Sequence, residues 1–176
     1  MKGGARLWLP LALFVAVAAI IAVALYRPAD RTVYSAMVGK RLPTFATSPL
    51  LPGKPGVVST AFADGKPKLL NIFASWCVPC AAEAPQLMAL KTAGVPVVGV
   101  AIRDTPGAMR DFLARGGDPY VAIGDDKASA VQLAIGSSGV PESFLIDGDG
   151  TILLQHVGDI RADDVPDILA KLAAAK

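Results

Sequence analysis

The chain has 176 residues, enough for one domain of ordinary size and some additional sequence. Hydrophobic residues make up 53% of it, above the roughly 45–50% of soluble globular proteins, and the formal net charge is +2. Residues 1–31 carry four Lys/Arg and one Asp, whereas residues 32–176 carry thirteen Lys/Arg against fourteen Asp/Glu. The larger part of the chain therefore has no basic excess, which argues against binding to nucleic acid.

The apolar residues are concentrated near the amino terminus. Residues 7–26 read LWLPLALFVAVAAIIAVALY without a charge, and a helix of that length at about 1.5 Å per residue would span the roughly 30 Å hydrocarbon core of a membrane. Lys2 and Arg6 precede this run, which favours a cytoplasmic location for residues 1–6. We therefore predict a single-pass transmembrane anchor over residues 7–26 that contacts membrane lipid.

A cleaved signal peptide is the alternative for the same segment, because Ala22-Val23-Ala24 resembles a small-residue cleavage site. The apolar run is longer than the about 7–15 residues usual in secretory signals, which favours an uncleaved anchor. Either outcome places residues 32–176 outside the cytoplasm. Residues 27–37 are predicted to form a polar tether, and residues 38–176 the folded domain.

Beyond the tether, strand-like segments alternate with helix-like ones. Residues 38–68 are rich in Gly and Pro and are predicted to be irregular, with a short hairpin. The predicted strands are 69–75, 95–102, 119–125, 142–147 and 151–158. The predicted helices are 80–90, kinked at Pro85, one that starts at Thr105-Pro106, 127–135, and a last one that starts near Asp163. This alternation predicts an α/β layered domain with a mixed sheet.

The two cysteines of the chain, Cys77 and Cys80, lie between the first of these strands and the first helix. A structural zinc site needs four ligands, but the chain offers two Cys and one His, His156. Covalent haem attachment needs C-x-x-C-H, and Ala81 stands where that His would be. A disulfide between cysteines separated by two residues restricts the unfolded chain little, so it would stabilise the fold only weakly.

A redox pair fits this position best, although inert cysteines remain the alternative. Cys77 at a helix N-terminus would be stabilised as a thiolate by the helix dipole and free N–H groups, while Cys80 would lie one turn further in. Cys77 is then the attacking thiol and Cys80 the resolving thiol of a disulfide exchange that needs no cofactor and no metal. Pro79 between them removes one N–H donor from the first turn.

Three stretches carry a resemblance that covers residues 38–176. They are VGKRLPTF (38–45), GKPKLLNIFASWCVPCAAEAPQL (65–87) and GVPESFLIDGDGTILLQHVGDI (139–160). In these the chain resembles the DsbE/CcmG group of membrane-anchored thiol:disulfide interchange proteins, within the thioredoxin superfamily. The resemblance implies a thioredoxin-like fold, with a central mixed sheet flanked by helices and an inserted strand-helix unit.

The same resemblance implies a function in cytochrome c biogenesis. It implies a reductant of apocytochrome c cysteines, attached to the inner membrane and facing the periplasm, with a redox-active Cys77–Cys80 disulfide. A membrane electron donor of the DsbD/CcdA type would recharge the pair. The alternatives are an anchored reductase with other envelope clients, an oxidant or isomerase, and a redox-inactive client-binding module.

The resemblance also implies roles for residues around the pair. Val140-Pro141 matches the family's cis-proline position, and Glu83 and Glu142 match its acidic residues near the thiols, where the alternative is a solvated surface charge. Trp76 is expected to shield and orient the thiol. Asn71 stands where thioredoxins have a buried Asp; since Asn cannot accept a proton, a nearby Glu or a water would have to do so. We expect His156 to be structural.

Overall fold

The computed structural model describes residues 4–26 and 36–175, with side chains described for residues 8–23 and 36–175. The chain divides into two compact units, residues 1–31 and 32–176, and the first contains helix α1 (Gly4–Tyr26). Among the described residues, no helix combines the length and apolar character needed to cross a membrane, so the anchor predicted for residues 7–26 is not confirmed. Residues 1–3 of the predicted cytoplasmic terminus and residues 27–35 of the predicted tether lie outside the described residues.

The second unit is built on one mixed sheet. Its strands in the described part of the chain are β1 (Ser48–Pro49), β2 (Lys68–Phe73), β3 (Val97–Ile102), β4 (Tyr120–Asp126), β5 (Glu142–Ile146) and β6 (Ile152–Val157). The strand order is β1-β4-β3-β2-β5-β6. β2, β3 and β4 are mutually parallel along the order, whereas β5 is antiparallel to β2 and β6, and β1 is antiparallel to β4.

The centre of this sheet is formed by β2 and β3. Every residue of both strands is buried, which explains why they read in the sequence as largely apolar runs, interrupted in β2 by Asn71, rather than as alternating patterns. Gly99 in β3 makes room for two neighbouring aromatic rings: a Cβ at this position would lie 2.7 Å from the Phe73 ring and 2.8 Å from the Tyr120 ring. Those rings stack with their centroids 4.4 Å apart, so the backbone of β3 lies directly against them.

The helices of this unit are α2 (Val78–Ala82), α3 (Ala84–Thr92), α4 (Pro106–Gly116), α5 (Ala130–Ala134) and α6 (Asp164–Ala174), with a short 3-10 helix at Ser59–Phe62. The helix predicted for residues 80–90 is divided at Glu83, because Pro85 has no N–H to donate to the preceding turn. α4 begins as predicted, with the Thr105 hydroxyl accepting a hydrogen bond from the Ala108 N–H at 3.3 Å and Pro106 as first helical residue.

α5 is shorter than the helix predicted for residues 127–135. Ser129 has a left-handed backbone with φ of 56°, so the helical segment begins only after it. The buried carboxylate of Asp126 accepts hydrogen bonds from the N–H groups of Ala130 at 2.7 Å and Gln132 at 3.0 Å. These bonds satisfy free donors of the first turn and anchor the helix to the end of β4.

The predictions of irregular structure before β2 and of a last helix near Asp163 agree with the structure. Residues 38–67 are largely irregular apart from β1, the 3-10 helix and two antiparallel bridges, from Arg41 to Thr151 and from Ala46 to Val58. α6 buries Ile168 and Leu172 against the core, with Leu169 partly buried beside them. The α/β architecture with a mixed sheet and flanking helices, predicted from the sequence, is confirmed.

Candidate active site

The two cysteines lie at the end of β2 and the start of α2, and in this structure they are joined as a disulfide. Cys77 is the N-cap residue of α2, and its sulfur accepts a hydrogen bond from the Cys80 N–H at 3.1 Å. Cys77 is 5% exposed and Cys80 is 1% exposed. Because the sulfur of Cys77 receives an N–H of the first turn, this position favours a thiolate there, and Cys80 is the more enclosed of the two.

The loop before the cysteines is held in place by Asp104, a residue that the sequence analysis missed. Its buried carboxylate accepts hydrogen bonds from the Ser75 N–H at 2.6 Å, the Ser75 hydroxyl at 2.8 Å and the Thr105 N–H at 2.7 Å. Asp104 therefore ties the residues just before Cys77 to the start of α4. A signal was available, since an Asp between a buried strand and a helix start is well placed to cap both.

The ring of Trp76 is hydrogen-bonded at one edge to the loop that follows β3. The indole Nε1–H donates to the Arg103 carbonyl at 3.3 Å, yet 57% of the residue is exposed. It forms one wall of a cavity of about 360 Å³ beside Cys77, whose lining residues are Ser75, Trp76, Cys77, Val78, Ala81, Phe112, Arg115 and Gly116. The ring thus stands open at the rim of the site, next to Cys77. Pro79, in the first turn of α2, is exposed as well.

Behind the cysteines lies a buried hydrogen-bond network centred on Asn71. Its amide nitrogen donates to Glu83 Oε1 at 3.0 Å and to the Ser143 hydroxyl oxygen at 3.0 Å, while its oxygen accepts from the Tyr120 hydroxyl at 2.9 Å. The other carboxylate oxygen of Glu83 accepts from the Ile160 N–H at 3.0 Å. Asn71 and Glu83 were predicted from the sequence as site residues, whereas the other three residues, which come from β4, β5 and the loop after β6, were not.

Glu83 is fully buried, so a solvated surface charge is the wrong interpretation for it. The pKa of its carboxyl is raised from 4.5 to about 7, chiefly by burial and to a smaller extent by the charge of Asp159. The hydrogen bonds from Ile160 and Asn71 act in the opposite direction because they favour the ionised form. A carboxyl with this pKa exchanges its proton near neutral pH, which suits an internal acid or base.

Glu142 is also fully buried, but its carboxylate belongs to a different neighbourhood. One oxygen accepts from the Ser137 hydroxyl at 2.7 Å and the Ser138 N–H at 2.7 Å, and the other accepts from the side-chain amide of Gln155. Glu142 therefore fastens the loop of residues 137–140, which leads into the cis peptide bond between Val140 and Pro141. Its hydrogen bonds give it a role in holding that loop.

His156 lies on β6 away from the cysteines. One ring nitrogen is 3.2 Å from the Asp159 carbonyl oxygen and 3.8 Å from the Asp164 carboxylate, and the side chain is largely buried. These contacts agree with a structural role. Among residues 36–175, no group of three or more His, Cys, Asp or Glu side chains is arranged to hold a metal ion.

A mixed sheet with a C-x-x-C pair at the start of the helix that follows its central strand defines a thioredoxin-like thiol:disulfide oxidoreductase. Residues 37–172 match the Redoxin family. The chain belongs to that family and is a thiol:disulfide oxidoreductase of the DsbE type.

Relatives and solved structures agree over most of the chain. It is 40% identical to the thiol:disulfide interchange protein HelX of Rhodobacter capsulatus over 73% of both chains. It is 37% identical to a DsbE homolog of Paracoccus denitrificans over 94% of both, and to DsbE of Escherichia coli K12 over 88% of this chain and 85% of that one. A crystal structure of a DsbE-type protein from Chlorobium tepidum is 32% identical, with a TM-score of 0.66 over 80% of this chain and 99% of that one.

Proposed function

We propose that this protein reduces the paired cysteines of apocytochrome c, in the C-x-x-C-H segment to which haem is attached, before attachment takes place. The observation that carries the proposal is the buried Glu83, three residues after Cys80 at the C-cap of α2, with a pKa raised by burial to about 7. Side chains three apart on a helix are neighbours, at roughly 5–6 Å between Cβ atoms. Glu83 therefore supplies the proton acceptor that Asn71 cannot be.

The proposed reaction is a two-step exchange that starts from the reduced protein. The Cys77 thiolate attacks one sulfur of the client disulfide, which forms a mixed disulfide and releases the first client thiolate. Cys80 then gives its proton to the Glu83 carboxylate and attacks Cys77, which releases the second client thiolate. The client disulfide gains two electrons, the Cys77–Cys80 pair loses them, and the released thiolates take up protons.

The carboxylate also favours reduction over oxidation of the client. A strongly stabilised thiolate makes a dithiol pair an oxidant, because its reduced form is then too stable to give up electrons. A negative charge beside the thiols acts against the thiolate. Glu83 in its ionised form therefore raises the free energy of the reduced pair and makes it a better electron donor.

We propose the compartment and the partners on the sequence alone. Residues 7–26 would tether the protein to the inner membrane with residues 1–6 in the cytoplasm and the catalytic unit in the periplasm, where disulfides persist. A membrane electron donor of the DsbD/CcdA type would reduce Cys77–Cys80 after each turnover. Alkaline phosphatase fused after residue 36 would be active on this topology, and an inactive fusion would refute it.

Trapping of clients tests the proposed substrate. The Cys80→Ala variant cannot resolve the mixed disulfide, so clients should accumulate on Cys77, with Cys77→Ala/Cys80→Ala as the matched control. We expect c-type apocytochromes among the trapped chains. Their absence, with other envelope proteins trapped instead, would indicate a reductase with different clients.

Two further outcomes would replace the reductase with another function. If Cys77→Ala still supported cytochrome c maturation in cells, the protein would be a redox-inactive binding module. A reduction potential of about −120 mV would indicate an oxidant, whereas the proposal requires a value well below about −180 mV.

A further inference from the structure

Tyr120 has no part in the reaction above, yet its hydroxyl belongs to the buried network around Asn71. The residue is 2% exposed, and its ring is fixed by the stack on Phe73 and by the close backbone of Gly99. Its hydroxyl donates to the Asn71 oxygen at 2.9 Å. Burial and the nearby charge of Glu83 raise the pKa of Tyr120 well above its usual value, so the hydroxyl keeps its proton and remains a donor.

This donor determines which way the Asn71 amide faces. An amide has one acceptor end and one donor end, and the two ends are exchanged when it turns over. With the Asn71 oxygen facing Tyr120, both N–H groups of the amide face Glu83 and Ser143. Glu83 then meets donors on both oxygens, from Asn71 and from the Ile160 N–H, which is the arrangement that an ionised carboxylate requires.

A protonated Glu83 requires a different arrangement. Its O–H needs an acceptor, and neither the amide nitrogen of Asn71 nor the Ile160 N–H can serve. If the Asn71 amide turns over, its oxygen faces Glu83 and Ser143 and accepts from both hydroxyl groups. The amide nitrogen then faces the Tyr120 oxygen, and the Tyr120 proton loses its acceptor, which carries a free-energy cost in a buried site.

We propose that Tyr120 is a positioning residue for the proton step at Cys80, acting through the orientation of the Asn71 amide on Glu83. The hydroxyl proton of Tyr120 holds Asn71 in the orientation that keeps Glu83 ionised and available to accept the Cys80 proton. This proposal rests on the proposed role of Glu83. It concerns how that carboxyl is kept ready and is independent of which client is reduced.

The groups that face Glu83 are few. Tyr120 comes from β4, and Asp159 comes from the loop after β6, where Arg161 pairs with it at 3.3 Å. Cys77 and Cys80 of α2 do not titrate while they are joined in the disulfide. A titration of the oxidised protein therefore reports on Glu83 without the thiols.

The composition of the chain makes this titration readable. Asn71 is the only asparagine, and Glu83 and Glu142 are the only glutamates. Full-length oxidised protein with ¹⁵N-labelled asparagine side chains gives one amide resonance pair, and ¹³C-carboxyl labelling of glutamate gives two signals. Glu142→Gln identifies which of the two belongs to Glu83.

The test compares wild type with Tyr120→Phe, which removes only the hydroxyl. Thr47→Val is the matched control, because the Thr47 hydroxyl makes two hydrogen bonds to the Val57 backbone, at 3.0 Å and 3.1 Å, that do not involve the network. In Tyr120→Phe we expect the titration midpoint of Glu83 to rise by about half a unit to one unit. Resolution of the mixed disulfide at pH 7 should slow by about threefold, with no difference in alkaline solution. Thr47→Val should leave both unchanged.

In the wild type, the Asn71 amide resonances should move with the titration of Glu83. If the Asn71 amide resonances did not shift across the titration midpoint of Glu83, the proposal would be overturned, even if Tyr120→Phe failed to fold. An unchanged Glu83 midpoint in folded Tyr120→Phe would overturn it too. Neither result would bear on client trapping, so failure of this proposal is distinguishable from failure of the proposed function.

Discussion

Replacing Glu83 by Gln tests whether the site stores an unfavourable charge in the folded state. Gln keeps the size of the side chain but cannot ionise. In the oxidised protein the thiols do not titrate, so the pH dependence removed by Glu83→Gln belongs to this carboxyl.

The expected magnitude follows from the pKa. Burial raises the pKa of Glu83 from 4.5 to about 7, while the unfolded chain keeps the ordinary value. Because the folded value is the higher one, the contribution of this carboxyl to stability is fully present below pH 4.5 and is lost as the pH rises through about 7. The free energy of unfolding of the wild type should therefore fall by about 3 kcal/mol relative to Glu83→Gln between pH 4 and pH 8.5.

Urea unfolding of both oxidised proteins at several pH values measures this difference. The variant leaves one donor unpaired, either the Asn71 amide or the Ile160 N–H, which adds an offset of about 1–3 kcal/mol that does not depend on pH. The test therefore depends on how the difference in unfolding free energy between the two proteins changes with pH, and not on the absolute value of that difference. A difference that varies by less than about 1 kcal/mol over this range would refute the account of Glu83.

Three further substitutions test the surroundings of the site. Gly99→Ala places a Cβ 2.7 Å from the Phe73 ring and should destabilise the protein by about 1–3 kcal/mol in urea unfolding; an unchanged midpoint would contradict the packing described. Asp104→Asn removes one of the carboxylate oxygens that accept hydrogen bonds from Ser75. Client reduction, measured by stopped-flow kinetics, should become several-fold slower, and the midpoint of its pH dependence should stay unchanged. Glu142→Gln replaces one acceptor oxygen by an amide nitrogen, so a donor among Ser137, Ser138 and Gln155 loses its partner; stability should fall by about 1–3 kcal/mol, with wild-type stability as the refuting result.

Features that depend on neighbours in the sequence could be predicted from it. The apolar runs of β2 and β3, the Thr105-Pro106 start of α4 and the helix break near Pro85 all follow from local hydrogen bonding and burial. The placement of Cys77 at a helix N-terminus is of the same kind, because a buried strand followed directly by a helix leaves that position to it. The delayed start of α5 was missed, since it depends on Asp126 and on the backbone of Ser129.

The chemistry around the cysteines depends on residues far apart in the chain. The sequence by itself supplied the two thiols, a predicted order of action for them and a carboxyl one turn beyond them. It left open whether Glu83 was a solvated charge or a buried one, because Glu is usually exposed. Only the tertiary structure decided this, by bringing the Ile160 N–H, 77 residues away, onto one carboxylate oxygen and the Asn71 amide onto the other. Burial removes water from the carboxyl and these donors replace part of it, so its pKa reflects the folded environment as a whole and no single stretch of sequence encodes it.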